Sequence, residues 1–306
     1  MMSFDNAYEA VSEANDQARW AFGTGFTDPL SGVDTSLPSG VDGNDLASYC
    51  LMLGDDALIM SHRLQQWCTR APELEDEVAL ANIGLDLLGQ ARLLLTRAGK
   101  AGTAMPASAG AAVADRPEDA LAFFRDEHEF RNIRLAELSS HEPVDFALVI
   151  AQLLVFATWR LALLRRLTDS RDPVLAAIAA KGVKEVTYHR DYAAQWTVRL
   201  GDGTDYSHRR MQSGLDAVWP YVGELFDTHP VERALADVAV DPAMSRTEFD
   251  DVLTQVCSAA TLTVPDIPPL AGVSGRKGRD GVHTEEMGFL LAEMQAVARA
   301  HPEATW

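Results

Sequence analysis

The chain has 306 residues, with 26 Lys and Arg against 45 Asp and Glu and a formal net charge of −19 at pH 7. A balance this acidic argues against nucleic acid and against an anionic membrane surface, since both require clustered basic side chains. Hydrophobic residues make up 47%, enough for a substantial core, and the three scattered cysteines, Cys50, Cys68 and Cys257, contain no Cys-x-x-Cys spacing, which disfavours a disulfide framework or a thiolate zinc site and suits a reducing cytoplasm.

The opening MMSFDNAYEA has neither the basic start nor the apolar run of a signal peptide. Residues 6–21 could form a short helix, but SGVDTSLPSGVDGND is a run of turn formers with little to bury. Residues 1–44 are therefore expected to be a mobile extension, and 45–306 a helical domain.

From Asp45 onward the apolar pattern has a helical period and no convincing period-2 strand. The first helix is expected from Asp45 to Trp67, with Leu46, Tyr49, Leu53, Asp56, Met60 and Leu64 on one stripe. The second runs from Glu73 to Ala98, its ELEDE start placing carboxylates at the positive end of the macrodipole. A small-residue connector (99–114) precedes a helix expected over 117–138. The stretch 144–168 is apolar nearly all round and should be the most deeply packed helix. Gln152 and Arg160 interrupt it, which argues against a membrane span. Asp172-Pro173 reads as a cap and first position of a helix extending to Leu200. Further helices are expected at 206–226, 231–238, 245–260 and 283–300. This order describes an all-α protein: a ferritin-like four-helix bundle with additional C-terminal helices. An α-solenoid is the architectural alternative.

Chemistry in such a bundle sits where polar side chains interrupt buried stripes. Asp56 lies on the inner face of the first helix, Asn82, Asp86 and Gln90 form a line along the second, and Glu185 and His189 are one turn apart on the 173–200 helix. A di-iron carboxylate site needs two Glu-x-x-His pairs besides two further Glu residues. No Glu in this chain has His three residues later. Asp56, Asp86, Glu185 and His189 are thus too few for a pair of metals and are expected to form a buried polar cluster that fixes helix register. Asp126-Glu127-His128-Glu129 is expected to be a solvated face or partner contact. Arg276, Lys277 and Arg279, followed by His283, form a basic cluster suited to a partner, to an anionic ligand, or simply to a solvated loop.

APELEDEVALANIGLDLLGQAR (71–92), SRDPVLAAIAAKGVKEVTYHRDYAAQW (170–196) and GRKGRDGVHTEEMGFLLAEMQ (275–295) resemble the C subunit of the bacterial ring-1,2-phenylacetyl-CoA epoxidase. LGDDALIMSHRLQQWC (53–68), RDEHEF (125–130) and RLGDGTD (199–205) fit the same pattern. The resemblance covers about 45–306. It implies a ferritin-like fold and a place in a multicomponent mono-oxygenase of aerobic phenylacetate degradation, which uses O2 and NADPH-derived electrons to epoxidise the ring of phenylacetyl-CoA. It further implies that the di-iron centre belongs to a homologous catalytic A subunit, fed by an NADPH-linked reductase, and that this chain is a structural partner without a cofactor of its own. Rival readings are a di-metal oxygenase or oxidase active by itself and a stand-alone helical scaffold.

Overall fold

The computed structural model describes residues 30–110, 113, 115–138 and 145–304. Among the described residues the regular structure is helical: α1 (Gly43–Gln65), α2 (Leu74–Ala101), α3 (Pro117–Phe123), α4 (Phe146–Leu167), α5 (Pro173–Gly201), α6 (Asp205–Val218), α7 (Pro230–Ala234), α8 (Arg246–Ala259) and α9 (Glu285–Ala300). The pairs α1–α2 and α4–α5 pack along their lengths, and α2 meets α5 between the pairs. α6 and α8 lie on the α4–α5 side, while α9 packs on α3.

The caps follow the local sequence. Asp42 accepts hydrogen bonds from Asn44 N and Asp45 N at the start of α1, and Asp172 accepts from Leu175 N ahead of Pro173 in α5. α2 and α4 are both long and apolar enough to cross a bilayer, but the apolar window of α4 is 94% buried within the protein itself. Trp159 Nε1, on α4, donates to Leu225 O at 2.8 Å, tying the central helix to the C-terminal half.

Part of the expected N-terminal extension, residues 1–29, lies outside the described residues. Residues 30–42 pack on the domain: Leu30, Val33 and Val41 touch the core. Arg97 donates to Thr35 O and to Ser36 O (3.1 Å). The same guanidinium pairs with Asp172, and both side chains are buried.

The expected helix over 117–138 is a correction. It ends at Phe123, and two 3-10 turns, Glu127–Glu129 and Arg134–Glu137, follow within an irregular strap. The reason is capture of the backbone by side chains from elsewhere. Arg131 N donates to Asp55 Oδ2 (2.8 Å) and Ile133 N to Asp56 Oδ1 (2.9 Å). The carbonyls of Ala122 and Arg125 accept from Gln295, that of Leu135 from Gln152, and that of Glu137 from Arg63. Groups bonded in this way are not available to an intrahelical ladder. The helix expected over 206–226 likewise stops at Val218 and continues as 3-10 turns around Pro220, and that expected over 231–238 shortens to Pro230–Ala234.

Asp172→Ala should remove the cap of α5 and leave Arg97 buried without its carboxylate. Destabilisation of about 3–5 kcal/mol is expected, the range for breaking a buried pair from one side. Chemical denaturation of the variant measures it.

Candidate functional site

α1 carries two adjacent carboxylates, both without exposed surface: Asp55 and Asp56. Consecutive helical positions point in different directions, and the two serve different partners. Asp55 takes Arg125 Nη1 at 3.0 Å and a second contact from Arg125 Nη2, beside Arg131 N. Asp56 takes both Nη groups of Arg279, at 2.9 and 2.8 Å, beside Ile133 N. Burial pushes the Asp56 carboxyl upward, and Arg279 pulls it back. The net direction is upward, while the hydrogen-bonding neighbours of this carboxyl are all donors, an arrangement that a carboxylate satisfies.

Arg160 enters the same centre from α4 and is 1% exposed. Its Nε donates to Gln90 Oε1 at 3.0 Å, while Nη1 and Nη2 each lie 3.4 Å from Leu53 O. Its hydrogen bonds thus go to neutral acceptors, and burial lowers its pKa to about 10 against the attraction of Asp56. Gln90 Nε2 in turn donates to Glu185 Oε2 at 2.9 Å, and Glu185 pairs with Lys181 nearer the surface. A polar line therefore runs from Lys181 through Glu185 and Gln90 to Arg160, beside the Asp56–Arg279 pair.

The four residues singled out as a possible polar cluster divide. Asp86 and His189 meet each other, Nε2 to Oδ2 at 3.0 Å, with the Asp86 side chain 39% exposed and His189 buried. Glu185 joins the line described above, and Asp56 faces Arg279. Asn82 is exposed. Among the described residues no three His, Cys, Asp or Glu side chains converge as a metal site. The donor set does not fit a dinuclear metal centre, because Asp56, Glu185 and His189 are each engaged with a different protein partner.

The basic cluster also divides. Arg279 and His283 turn inward, His283 with no exposed side chain and bonded to Glu137 (2.6 Å). Lys277 pairs with Asp227, and Arg276 donates to Asp280 O at 2.7 Å. The inward pair is thereby unavailable to a partner or anion, the physical reason being burial against Asp56 and Glu137. Asp126-Glu127-His128-Glu129 forms a capped 3-10 turn, with Asp126 accepting from Arg299 at 2.9 Å.

The sequence reading missed Asp55, Arg125, Arg160 and Glu232. The doublet Asp55-Asp56 within an apolar stripe and the lone arginine inside α4 were the available signals. Glu232 gives none, since its burial comes from tertiary packing; its pKa is raised to about 7 by burial, despite nearby Arg279.

The protein family described as phenylacetic acid catabolic protein matches residues 35–306. The chain is 42% identical over 265 residues to the C subunit of 1,2-phenylacetyl-CoA epoxidase from Escherichia coli (strain K12). The match covers 86% of this chain and 100% of that protein. The chain belongs to the phenylacetic acid catabolic protein family.

Arg279→Met should strand Asp56 as an unpaired buried charge and cost about 3–5 kcal/mol. Arg160→Met should cost clearly less, because Arg160 meets neutral acceptors and Asp56 keeps its own arginine; paired denaturant melts compare them. Glu232, with its raised folded-state pKa, contributes full stability below the ordinary value near pH 4.5 and loses it as pH rises towards 7. Glu232→Gln should therefore melt roughly 2–6 °C above the parent at alkaline pH but not in mild acid, read by thermal denaturation.

Proposed function

We propose, with membership of this family as the premise, that the chain is the C subunit of a 1,2-phenylacetyl-CoA epoxidase. The observation that carries the reading is the similarity spanning the whole of the Escherichia coli protein at 42% identity. On this reading the four long helices follow a ferritin-like plan, and the chain works in the cytoplasm as a non-catalytic structural subunit. It supports a homologous catalytic A subunit that carries the di-iron centre and receives electrons through an NADPH-linked reductase.

The geometry supports such a role in two ways. The polar groups at the bundle centre are engaged with one another, Asp56 with Arg279 and Gln90 with both Arg160 and Glu185. A centre closed in this manner needs no bound group to neutralise it. On the outside, α2 exposes Leu74 (69%), Val78 (53%) and Leu85 (58%), and α5 exposes Tyr188 (52%). Leu74, Val78 and Leu85 fall at i, i+4 and i+11 on one stripe of a long helix, a form suited to packing against a second subunit.

Purified together at about micromolar concentration, this chain and the catalytic partner should elute as one species, as large obligate interfaces require. Separate elution contradicts the reading. His189→Ala should lower the stability of the chain or its assembly while leaving iron in the partner; elemental analysis of the co-purified complex checks it. Loss of the partner's iron with assembly intact is the contrary result.

A further inference from the structure

The segment from Lys277 to Thr284 crosses the domain just before α9, and its polar groups reach inward at successive points. Gly278 N donates to Glu224 Oε1 (3.0 Å), and Arg279 reaches Asp56. His283 then inserts between two groups of the 124–138 strap. Its Nδ1 lies 2.6 Å from Glu137 Oε1 and its Nε2 lies 3.2 Å from Phe130 O. Neither the His283 nor the Glu137 side chain has any exposed surface.

Both groups facing the ring are acceptors. The Glu137 carboxylate also takes Asn132 Nδ2 (2.8 Å), Thr284 N (2.7 Å) and Thr284 Oγ1 (2.7 Å), so it already accepts from three neutral donors. Phe130 O is a backbone carbonyl and has no hydrogen to give. A neutral imidazole carries one N–H and one lone pair. It would set that lone pair against one of the two acceptors. The imidazolium, with a hydrogen on each nitrogen, satisfies both.

We propose that Lys277–Thr284 is a protonation-dependent latch, closed by the imidazolium of His283 against Glu137 and Phe130 O and loosened when that ring loses its proton. The charged and titratable groups around the segment come from each neighbouring element: at the start of α7, His229 lies 3.6 Å from Asp280 and Glu232 feels the charge of Arg279. Burial disfavours the cation; Glu137 and Glu127 favour it and outweigh burial, so the pKa of the ring is raised. From α1, Arg63 donates to Glu137 O at 2.8 Å and lies 3.9 Å from Glu286 of α9, which partly offsets its charge. Tyr221, its pKa raised by burial, also feels Arg134, Glu137 and Glu286.

The stability this pair contributes is fully present below the ordinary histidine value near pH 6.5 and is lost as pH rises through the higher folded-state value. The latch leads directly into α9, whose first turn shares Arg63 with the strap, Nη2 donating to Glu286 O and Nε to Glu137 O (both 2.8 Å), and whose later turns are held by Gln295 and Arg299 on the carbonyls of Ala122, Phe124 and Arg125. Loosening should therefore spread from the segment to the first turn of α9 and leave α4 closed.

Hydrogen exchange read by mass spectrometry on the full chain, corrected for intrinsic chemical rates, tests the inference. Between about pH 6 and pH 9 the protection of peptides spanning 277–290 should fall about tenfold or more, the effect of one or more pH units beyond the titration point. Peptides from α4 should not change, and His283→Gln should remove most of the fall, the remainder coming from His229 and Glu232 beside the same segment. Constant protection in the parent, or an equal fall in His283→Gln, overturns the latch. Should that variant fail to fold, NMR titration of the His283 ring in the parent decides. A midpoint above the ordinary value near 6.5 supports the latch, and one below it overturns it.

Discussion

Two adjacent carboxylates in the middle of α1 set much of the architecture. Asp55 and Asp56 are wholly buried on a helix whose neighbouring side chains are apolar, and an unpaired carboxylate there would cost several kcal/mol. Each is met from a different direction. Asp55 draws in Arg125 and the backbone of Arg131, while Asp56 draws in Arg279 and the backbone of Ile133. Two segments far apart in sequence are thereby fastened to one turn of helix. The irregular strap after α3 and the loop before α9 take their courses from that demand.

The same demand explains what the sequence reveals and what it conceals. The long helices are legible because their apolar period is sustained over many turns, and Asp172-Pro173 marks the start of α5 by simple cap chemistry. Residues 124–138 read as a helix because their composition is helical; nothing local announces that Asp55, Asp56, Gln152 and Gln295 will occupy their backbone groups. Asp56 is recognisable as an inward polar residue, yet its partner lies in a loop whose basic residues read as surface charge. Arg279 and His283 differ from Arg276 and Lys277 only through tertiary placement. Arg160 is visible as a lone cation in an apolar helix, but its role becomes apparent only once Gln90 and Leu53 are seen beside it.

A bundle of this kind can neutralise central carboxylates with bound metal or with its own cations. Here the cations are covalent parts of the chain. Arg279 satisfies Asp56 directly, and Arg160 adds a second positive charge that leans on the carbonyl of Leu53 and the amide of Gln90. Fixed ion pairs of this sort contribute modest net stability but are costly to break from one side, so they favour one helix register over others. That property suits the structural role proposed for the chain.

The most direct test of this account is anomalous scattering at the iron edge from crystals of the chain bound to its catalytic partner. The account predicts iron in the partner's bundle alone, with the Arg160 and Arg279 guanidinium groups lying between α1 and its neighbours. A dinuclear iron peak held by Asp56 and Glu185 of this chain, with either arginine displaced, would contradict it.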